Sequence, residues 1–522
     1  MSRRSLHLIL FLFLMSAYLV IALRNLTVVP QVYEDEPWQA STGWKLATEG
    51  VFGSDLFAGF YGMERHYYGY MPVHPLLLAV VLRTTGLGLF QDRLEPAIMG
   101  LLVLVLTYWL GRRLFEDPWI GQLAVLFLIA VPLTGLTRIQ LTGILLIDMS
   151  RIARYDMVVP VFGLAALHAY ISARKGGRNG WFFLAGLLAS LSSLAHVYGL
   201  FWLPILIVLA LWDRRPFVNI VAIISGFIVP LVPYAAYVLG NLYDWRGQTR
   251  LYGNRFQLLN PTWYVRNLIE ERHRYGAGLG SVRSGAMRIG FWSALVGLPW
   301  SVFALARRAL RSDDAAARVV MVPLIIFPIL FAFLITLKLV NYTVVFMPMA
   351  AIAGGWGGVR VWSWARNAHR FRWALPVLVL LLAAIVVEGA TRIAALEAAA
   401  KTTTPYYSYI SRVREYLPGG ARVLASHNYW FGLEDFNYRS FIVPLGWTDL
   451  RNEPRPLAFE EGLEQIAPDV VLIDRGTREY FAGAGSDHLE GFHRWLGRHQ
   501  GQLVGQVDDQ TYGLMEIYQV KY

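Results

Sequence analysis

Long apolar runs recur along most of this chain, and short clusters of arginine and lysine punctuate them. About 20 apolar residues in a helix suffice to cross the hydrocarbon core of a bilayer. Candidate spans lie at 6–23, 94–114, 119–137, 152–172, 181–195, 197–212, 217–239, 287–306, 319–337, 340–358 and 373–393. The composition agrees: 56% of the 522 residues are hydrophobic and 16% charged, too apolar a balance for an ordinary soluble chain. The net charge of +11 would suggest a nucleic-acid partner in a soluble protein. Here the basic residues sit in short loops, so the bias of membrane proteins toward positive cytoplasmic loops accounts for them, and no nucleic-acid partner is expected. There is no cysteine, which excludes disulfides, thiolate catalysis and cysteine-ligated metals.

Charge also sets the topology. If the run 72–89 does not cross, the loops with Arg112-Arg113, Arg174-Lys175-Arg178, Arg214-Arg215, Arg307-Arg308-Arg311 and Arg366-Arg370-Arg372 fall on the side of Arg3-Arg4. If it crosses, they all move to the opposite side, against the bias. The run is therefore expected to be a helix on the outer face, started by Met71-Pro72 and His74-Pro75. The expected fold class is mainly α, a polytopic membrane helix bundle of about eleven spans. External interfacial helices and a small C-terminal external α/β domain complete it. Residues 6–23 are expected to be a retained signal-anchor. The protein is placed in the plasma membrane as a multi-pass protein, N-terminus cytoplasmic and C-terminal domain external.

Residues 1–398 form the expected transmembrane domain, with an external first loop at 24–93, and 399–522 a soluble α/β domain. In the latter, Ala421–Ser426, Asp469–Ile473 and Gly513–Val520 read as strands, and Ala458–Ile466 and His488–His499 as helices. No internal repeat is evident.

The first external loop opens with Tyr33-Glu34-Asp35-Glu36-Pro37-Trp38. Proline at a first helical position and Gly50 at the far end predict a helix over about 37–49. Alone, such a cluster is a helix cap. Just past a membrane span, it also suits a general base, because a helix N-terminus holds a carboxylate ionised. A second cluster, Asp148, Arg151, Arg154 and Asp156, stands at the outer end of the span 152–172. Charges there are costly against lipid and are expected to turn inward and pair, whether to anchor the helix or to contact substrate. His196 and Lys338 occupy outer turns where either could meet a phosphate, although a lone lysine also snorkels to lipid headgroups. His66 and His74, with Glu64, offer ligands for a divalent metal ion without a standard spacing. No other cofactor is indicated: no Walker loop, dinucleotide fingerprint, nucleophile elbow or zinc-protease motif is present.

With these residues in place, the chain resembles the C-type integral-membrane glycosyltransferases, nearest to the protein O-mannosyltransferase-like and aminoarabinose-transferase-like branch. Four segments carry the resemblance. Asp35-Glu36 looks like the family's Asp-Glu pair in the first external loop. His74-Pro75-Leu76-Leu77-Leu78, then Arg93-Leu94, then Leu110-Gly111-Arg112-Arg113-Leu114-Phe115 is similar to its Pro-Pro-Leu, Arg-Leu-Pro, Gly-Arg-Arg-Leu-Phe progression. Ser150-Arg151-Ile152-Ala153-Arg154-Tyr155-Asp156 resembles its Ser-Arg-x-Ala-Arg-x-Asp segment. Lys338 with Tyr342 and Pro348 resembles its late span with a basic residue, a Tyr and a Pro.

The resemblance implies an inverting transfer of a hexose or pentose from a polyprenyl-phosphate-linked donor to a hydroxyl on a lipid, glycan or protein acceptor. Asp35 would be the base, and Asp156 would support the acceptor or orient the base. Glu36, His74, Arg93, Arg151, Arg154, His196, Lys338 and Tyr342 would surround the substrates. The chain departs from the pattern at Ala195-His196-Val197-Tyr198-Gly199, where Thr-Lys-Gly is usual, and at Glu95, where Pro is usual. Two other classes compete. A transporter of lipid-linked or anionic substrate should carry midplane charges and repeated halves. A lipid-linked polysaccharide polymerase or ligase should carry an arginine-rich external loop, such as 240–286 with Arg246, Arg250, Arg255, Arg266, Arg272, Arg274 and Arg283.

Overall fold

The computed structural model describes residues 3–134, 141–177, 179–253, 255–280, 289–311, 314–368, 373–449, 455–483 and 487–522. Arg178, Arg283, Arg370 and Arg372, and the ends of the expected spans at 135–137 and 287–288, lie outside them. The chain divides into two compact units. The first comprises Met1–Arg24, Leu94–Ala236 and Phe256–Glu397; the second comprises Asn25–Arg93, Tyr237–Arg255 and Ala398–Tyr522.

Helices dominate, as the long apolar runs predict. In chain order they are α1 (Arg3–Leu23), α2 (Asp35–Glu49), α3 (Val73–Thr85), α4 (Leu89–Phe115), α5 (Pro118–Ala130), α6 (Leu145–Met149), α7 (Val158–Gly176) and α8 (Asn179–Ala195). They continue as α9 (Trp202–Ala210), α10 (Pro216–Gly240), α11 (Leu242–Gly253), α12 (Pro261–Gly280), α13 (Ile289–Arg311), α14 (Ala315–Leu334), α15 (Met347–Asn367) and α16 (Ala374–Thr402). Among the described residues, five helical stretches are long and apolar enough to cross a membrane: Arg4–Leu23, Leu89–Phe115, Pro216–Gly240, Ala315–Leu334 and Ala374–Arg414. The chain is an integral membrane protein. The 13 residues of α3 rise only about 20 Å, short of a hydrocarbon core of about 30 Å.

Local chemistry fixes the helix ends in the first unit. Asp117 accepts the Trp119 N–H at 2.9 Å ahead of Pro118, and Asp314 accepts that of Ala317 at 3.0 Å. In lipid, apolar side chains gain nothing by turning inward, so close backbone approach has to hold helices together. The pair α8 and α10 uses it twice. A Cβ on Gly186 would lie 1.9 Å from the Ile223 carbonyl oxygen, and one on Gly226 1.9 Å from that of Phe183.

The second unit is mixed. Its sheet contains β1 (Arg422–Ala425), β2 (Asn437–Ser440), β3 (Val470–Asp474), β4 (Gln502–Val507) and β5 (Met515–Gln519), in the order β2-β1-β3-β5-β4. β1 runs parallel to β2 and β3, and β5 antiparallel to β3 and β4. Helices α17 (Tyr406–Arg414), α18 (Ile442–Thr448), α19 (Phe459–Ile466), α20 (Arg475–Phe481) and α21 (His488–Arg498) surround it. The expected strands at 421–426, 469–473 and 513–520 appear as β1, β3 and β5; β2 and β4 are additional. One core joins Leu56, Phe57 and Phe60 from the first loop to Tyr406, Tyr409 and Val423. The loop helix α2 therefore folds together with the sheet, and so does the turn at Asp55–Phe57.

Candidate functional site

The acidic cluster opens α2. Asp35 and Glu36 occupy its first turn, and Gly50 closes it at φ +73°, its N–H donating to Leu46 O. The two carboxylates differ sharply. Glu36 is fully buried and meets the equally buried Arg93 in a bidentate pair: Nε donates to Oε1 at 2.7 Å and a terminal nitrogen to Oε2 at 2.8 Å. Glu36 also accepts the Tyr33 N–H at 2.8 Å, as a back-reaching carboxylate does at a helix start. The Arg93 guanidinium spends its other donors on the carbonyls of Leu26 (2.6 Å), Pro30 (2.9 Å) and Gln31 (3.2 Å). This ion pair fixes the backbone that leads into Asp35.

Asp35 is half-buried, and its Oδ1 accepts the Tyr70 hydroxyl at 2.5 Å. Aromatic rings line its surroundings. Trp38 stacks on Phe57 at 3.8 Å and meets Tyr70 edge-on at 6.2 Å. His427 faces Trp38 at 6.0 Å and Phe57 at 6.1 Å. It comes from the turn after β1, and its Nδ1 shares a 3.2 Å hydrogen bond with Ser440 of β2. Ser440 also accepts the Ile442 N–H, leaving its own proton available for His427. Nε2 of His427 has no hydrogen-bond partner among the described residues. Gln39, one turn along α2 from Asp35, is fully buried, and neither amide atom has a partner among them. Buried polar atoms left open mark places where a ligand can complete the bonding. His427, Gln39 and Tyr70 were not singled out from the sequence.

Burial pushes the His427 imidazole down to about 4, against the opposing pull of Asp35 and Asp474. His427 is therefore neutral at physiological pH. The unfolded chain takes up this proton below about pH 6.5, whereas the folded chain resists until about pH 4. Stability is accordingly lost as pH falls through that window, by roughly 3 kcal/mol at most. Thermal unfolding of the full chain at pH 7 and pH 4.5 should show the drop, and His427→Gln should lessen it.

The first unit holds the second cluster. Asp148 accepts from the Thr142 N–H (3.0 Å) and hydroxyl (2.8 Å) and from the Gly143 N–H (2.9 Å), and burial raises its carboxyl to about 7. Arg151 donates to Ile21 O at 2.6 Å and Ala22 O at 3.0 Å, capping the end of α1. Arg154 pairs with Asp156 at 3.2 Å, both buried, and donates to the Tyr155 hydroxyl at 3.1 Å. Tyr155 stacks on His196 at 3.9 Å, and His196 contacts Tyr198 at 4.0 Å. Tyr198 reaches Tyr342 at 4.5 Å and Phe331 at 5.2 Å. Arg274 lies over Phe331 and pairs with Glu271 at 2.6 Å; Lys338 meets the same carboxylate at 2.9 Å. Burial lowers the Lys338 ammonium pKa and Glu271 pulls it back up. Two cations thus share the Glu271 carboxylate beside an aromatic strip, and Glu270 also acts on Lys338. The Lys338 ammonium donates as well to the carbonyls of Phe331 (3.3 Å) and Ala332 (3.0 Å).

The structure thus brings Asp35, Glu36 and Arg93 together in the second unit, where His74 is buried in α3. It brings Arg154, Asp156, His196 and Tyr342 together in the first, with Lys338 four residues before Tyr342, while Arg151 serves α1. The arginines of 240–286 divide after Arg255 between the units. His66 hydrogen-bonds Asp244 at 2.9 Å, and no group of three or more His, Asp or Glu among the described residues could hold a metal ion.

No protein-family model and no curated protein matches the sequence. Solved structures do match in fold. ArnT from Cupriavidus metallidurans in the apo state is 15% identical with a TM-score of 0.62, over 99% of this chain and 98% of that one. Its undecaprenyl-phosphate-bound structure gives 15%, 0.62 and 97% of each chain. The Archaeoglobus fulgidus oligosaccharyltransferase in the apo form gives 13% and 0.60, over 92% of this chain and 71% of that one. At these identities the likeness is one of fold, and at that level the resemblance read from the sequence is borne out.

Proposed function

We propose that this protein is an inverting glycosyltransferase that moves a sugar from a polyprenyl-phosphate carrier to a hydroxyl acceptor at the outer face of the membrane. Asp35 is the base. The observation that carries this is the contrast between neighbours: Glu36 is locked against Arg93, while Asp35 stands half-buried at the positive end of α2 among aromatic rings. Asp35 takes the acceptor's hydroxyl proton. The acceptor oxygen then attacks the anomeric carbon from the face opposite the phosphate. The sugar–phosphate bond breaks, and its electron pair leaves with the lipid phosphate. Tyr70 orients Asp35 through its hydroxyl, and Glu36 and Arg93 position the segment.

Charge-assisted donors suit a leaving phosphate, and Lys338, Arg274 and Arg154 are the candidate donors. Lys338 and Arg274 share the Glu271 carboxylate, and Arg154 is held by Asp156. The fold shared with a structure bound to undecaprenyl phosphate supports this donor class. Mass spectrometry of membrane glycolipids and glycoproteins, from cells with and without the gene, tests the reading. A sugar modification that disappears with the gene is expected; an unchanged glycan profile would overturn it. Lys338→Met removes one charged contact of about 1.5–3 kcal/mol, so the donor KM should rise roughly 10- to 100-fold with kcat less affected. An unchanged KM would remove Lys338 from the donor site.

A further inference from the structure

The second unit also contains a half-open cleft of about 390 Å³. Trp447, Arg439, Asn437, Gln465, Glu64 and Gly59 contribute to its walls. The indole of Trp447 is fixed along one edge. Its Nε1 donates to Gly59 O at 3.3 Å, and a Cβ on Gly59 would press against the ring at 3.2 Å. The polar side chains have bonding capacity to spare. Among the described residues those of Asn437 and Gln465 make no hydrogen bond, and the Arg439 guanidinium donates only to Tyr438 O, at 3.2 Å. Burial works against the Arg439 charge, and Asp55 and Glu64 support it. A flat aromatic face edged by planar amide, guanidinium and carboxylate groups matches a sugar ring. The ring offers an apolar C–H face and a rim of hydroxyls that both donate and accept.

Two links tie the cleft to the aromatic residues around Asp35, Trp38 and His427. The side chains of a strand alternate between faces. Asn437 and Arg439 of β2 line the cleft, whereas Tyr438 and Ser440 are buried on the other face, where Ser440 holds His427. Similarly, Phe57 stacks on Trp38 while the next residues, Ala58 and Gly59, line the cleft.

We infer that this cleft binds a saccharide, so that the acceptor hydroxyl is carried by a glycan rather than by a polypeptide. The acceptor identity rests on the glycosyl-transfer reading above; the binding itself does not. Saturation-transfer NMR on the full chain in detergent tests it. The probes are chitotetraose, mannotetraose and a tetragalacturonate, with a serine- and threonine-containing peptide for comparison. Transfer to at least one saccharide is expected, undiminished in Asp35→Asn and reduced at least fivefold in Trp447→Ala and in Arg439→Gln. Arg439→Gln lies on a half-buried position and keeps the inference testable if Trp447→Ala misfolds. No transfer to any saccharide, transfer to the peptide alone, or signals indifferent to both cleft substitutions would overturn the inference. Saccharide binding with an unchanged cellular glycan profile would instead keep the cleft and sink the transferase reading.

Discussion

Asp35→Asn lowers the rate of sugar transfer by about 10²- to 10⁴-fold, the usual worth of a positioned general base. Donor affinity and unfolding temperature stay near wild type. The amide keeps the shape of the carboxylate and an oxygen for the Tyr70 hydroxyl, so the present 2.5 Å contact has a successor. What is lost is the ability to take a proton. The measurement is a single-turnover assay with a polyprenyl-phosphate sugar, run beside a donor-binding assay and a melting curve. Full turnover by the correctly inserted variant would remove Asp35 from the base role. A loss of donor binding of the same size would show that its charge serves binding instead.

Arg93→Met gives the opposite signature, a large loss of stability. Glu36 and Arg93 are both fully buried, and the arginine also holds three carbonyls of the segment before α2. Removing one partner of a buried ion pair strands the other, at a cost of about 3–5 kcal/mol. The melting temperature should fall by several degrees, and activity should fall with it because Asp35 sits on the loosened segment. The double variant Glu36→Leu with Arg93→Met should recover part of the stability by removing both charges. A melting temperature unchanged in Arg93→Met would show that the segment is held by other means. Together the two experiments separate the adjacent carboxylates: one is expected to affect rate without stability, the other stability first.

The sequence made some of this readable and hid the rest for physical reasons. Apolar runs of membrane length announce the helices. Pro37 and Gly50 bracket α2, which begins two residues earlier than expected, at Asp35. The strands β1, β3 and β5 were visible as β-branched stretches. β2, with the sequence Asn-Tyr-Arg-Ser, has no such pattern and exists because it pairs along β1. β4 carries Gly505 and an irregular register against β5, which blurs its alternation. At the candidate site, the charged residues of both clusters were legible because charge beside a membrane span is costly. Glu36 and Arg93 were each singled out, but not as one closed pair, since their meeting depends on the chain path between them. His427 was hidden for the same reason. Its segment carries no motif, and only the folding of the first loop onto the sheet brings it to Trp38.

The cap that Arg151 places on α1 bears on how the chain is made. The first helix is inserted early in synthesis, yet the guanidinium that satisfies its last carbonyls belongs to a residue made much later. Until then, the exit of α1 has only solvent or lipid headgroups to bond with. The last turn of α1 is therefore fastened only after translation has passed the Ser150–Asp156 segment. A nascent chain arrested before that point should show a frayed end of α1, more open to proteases than in the completed protein.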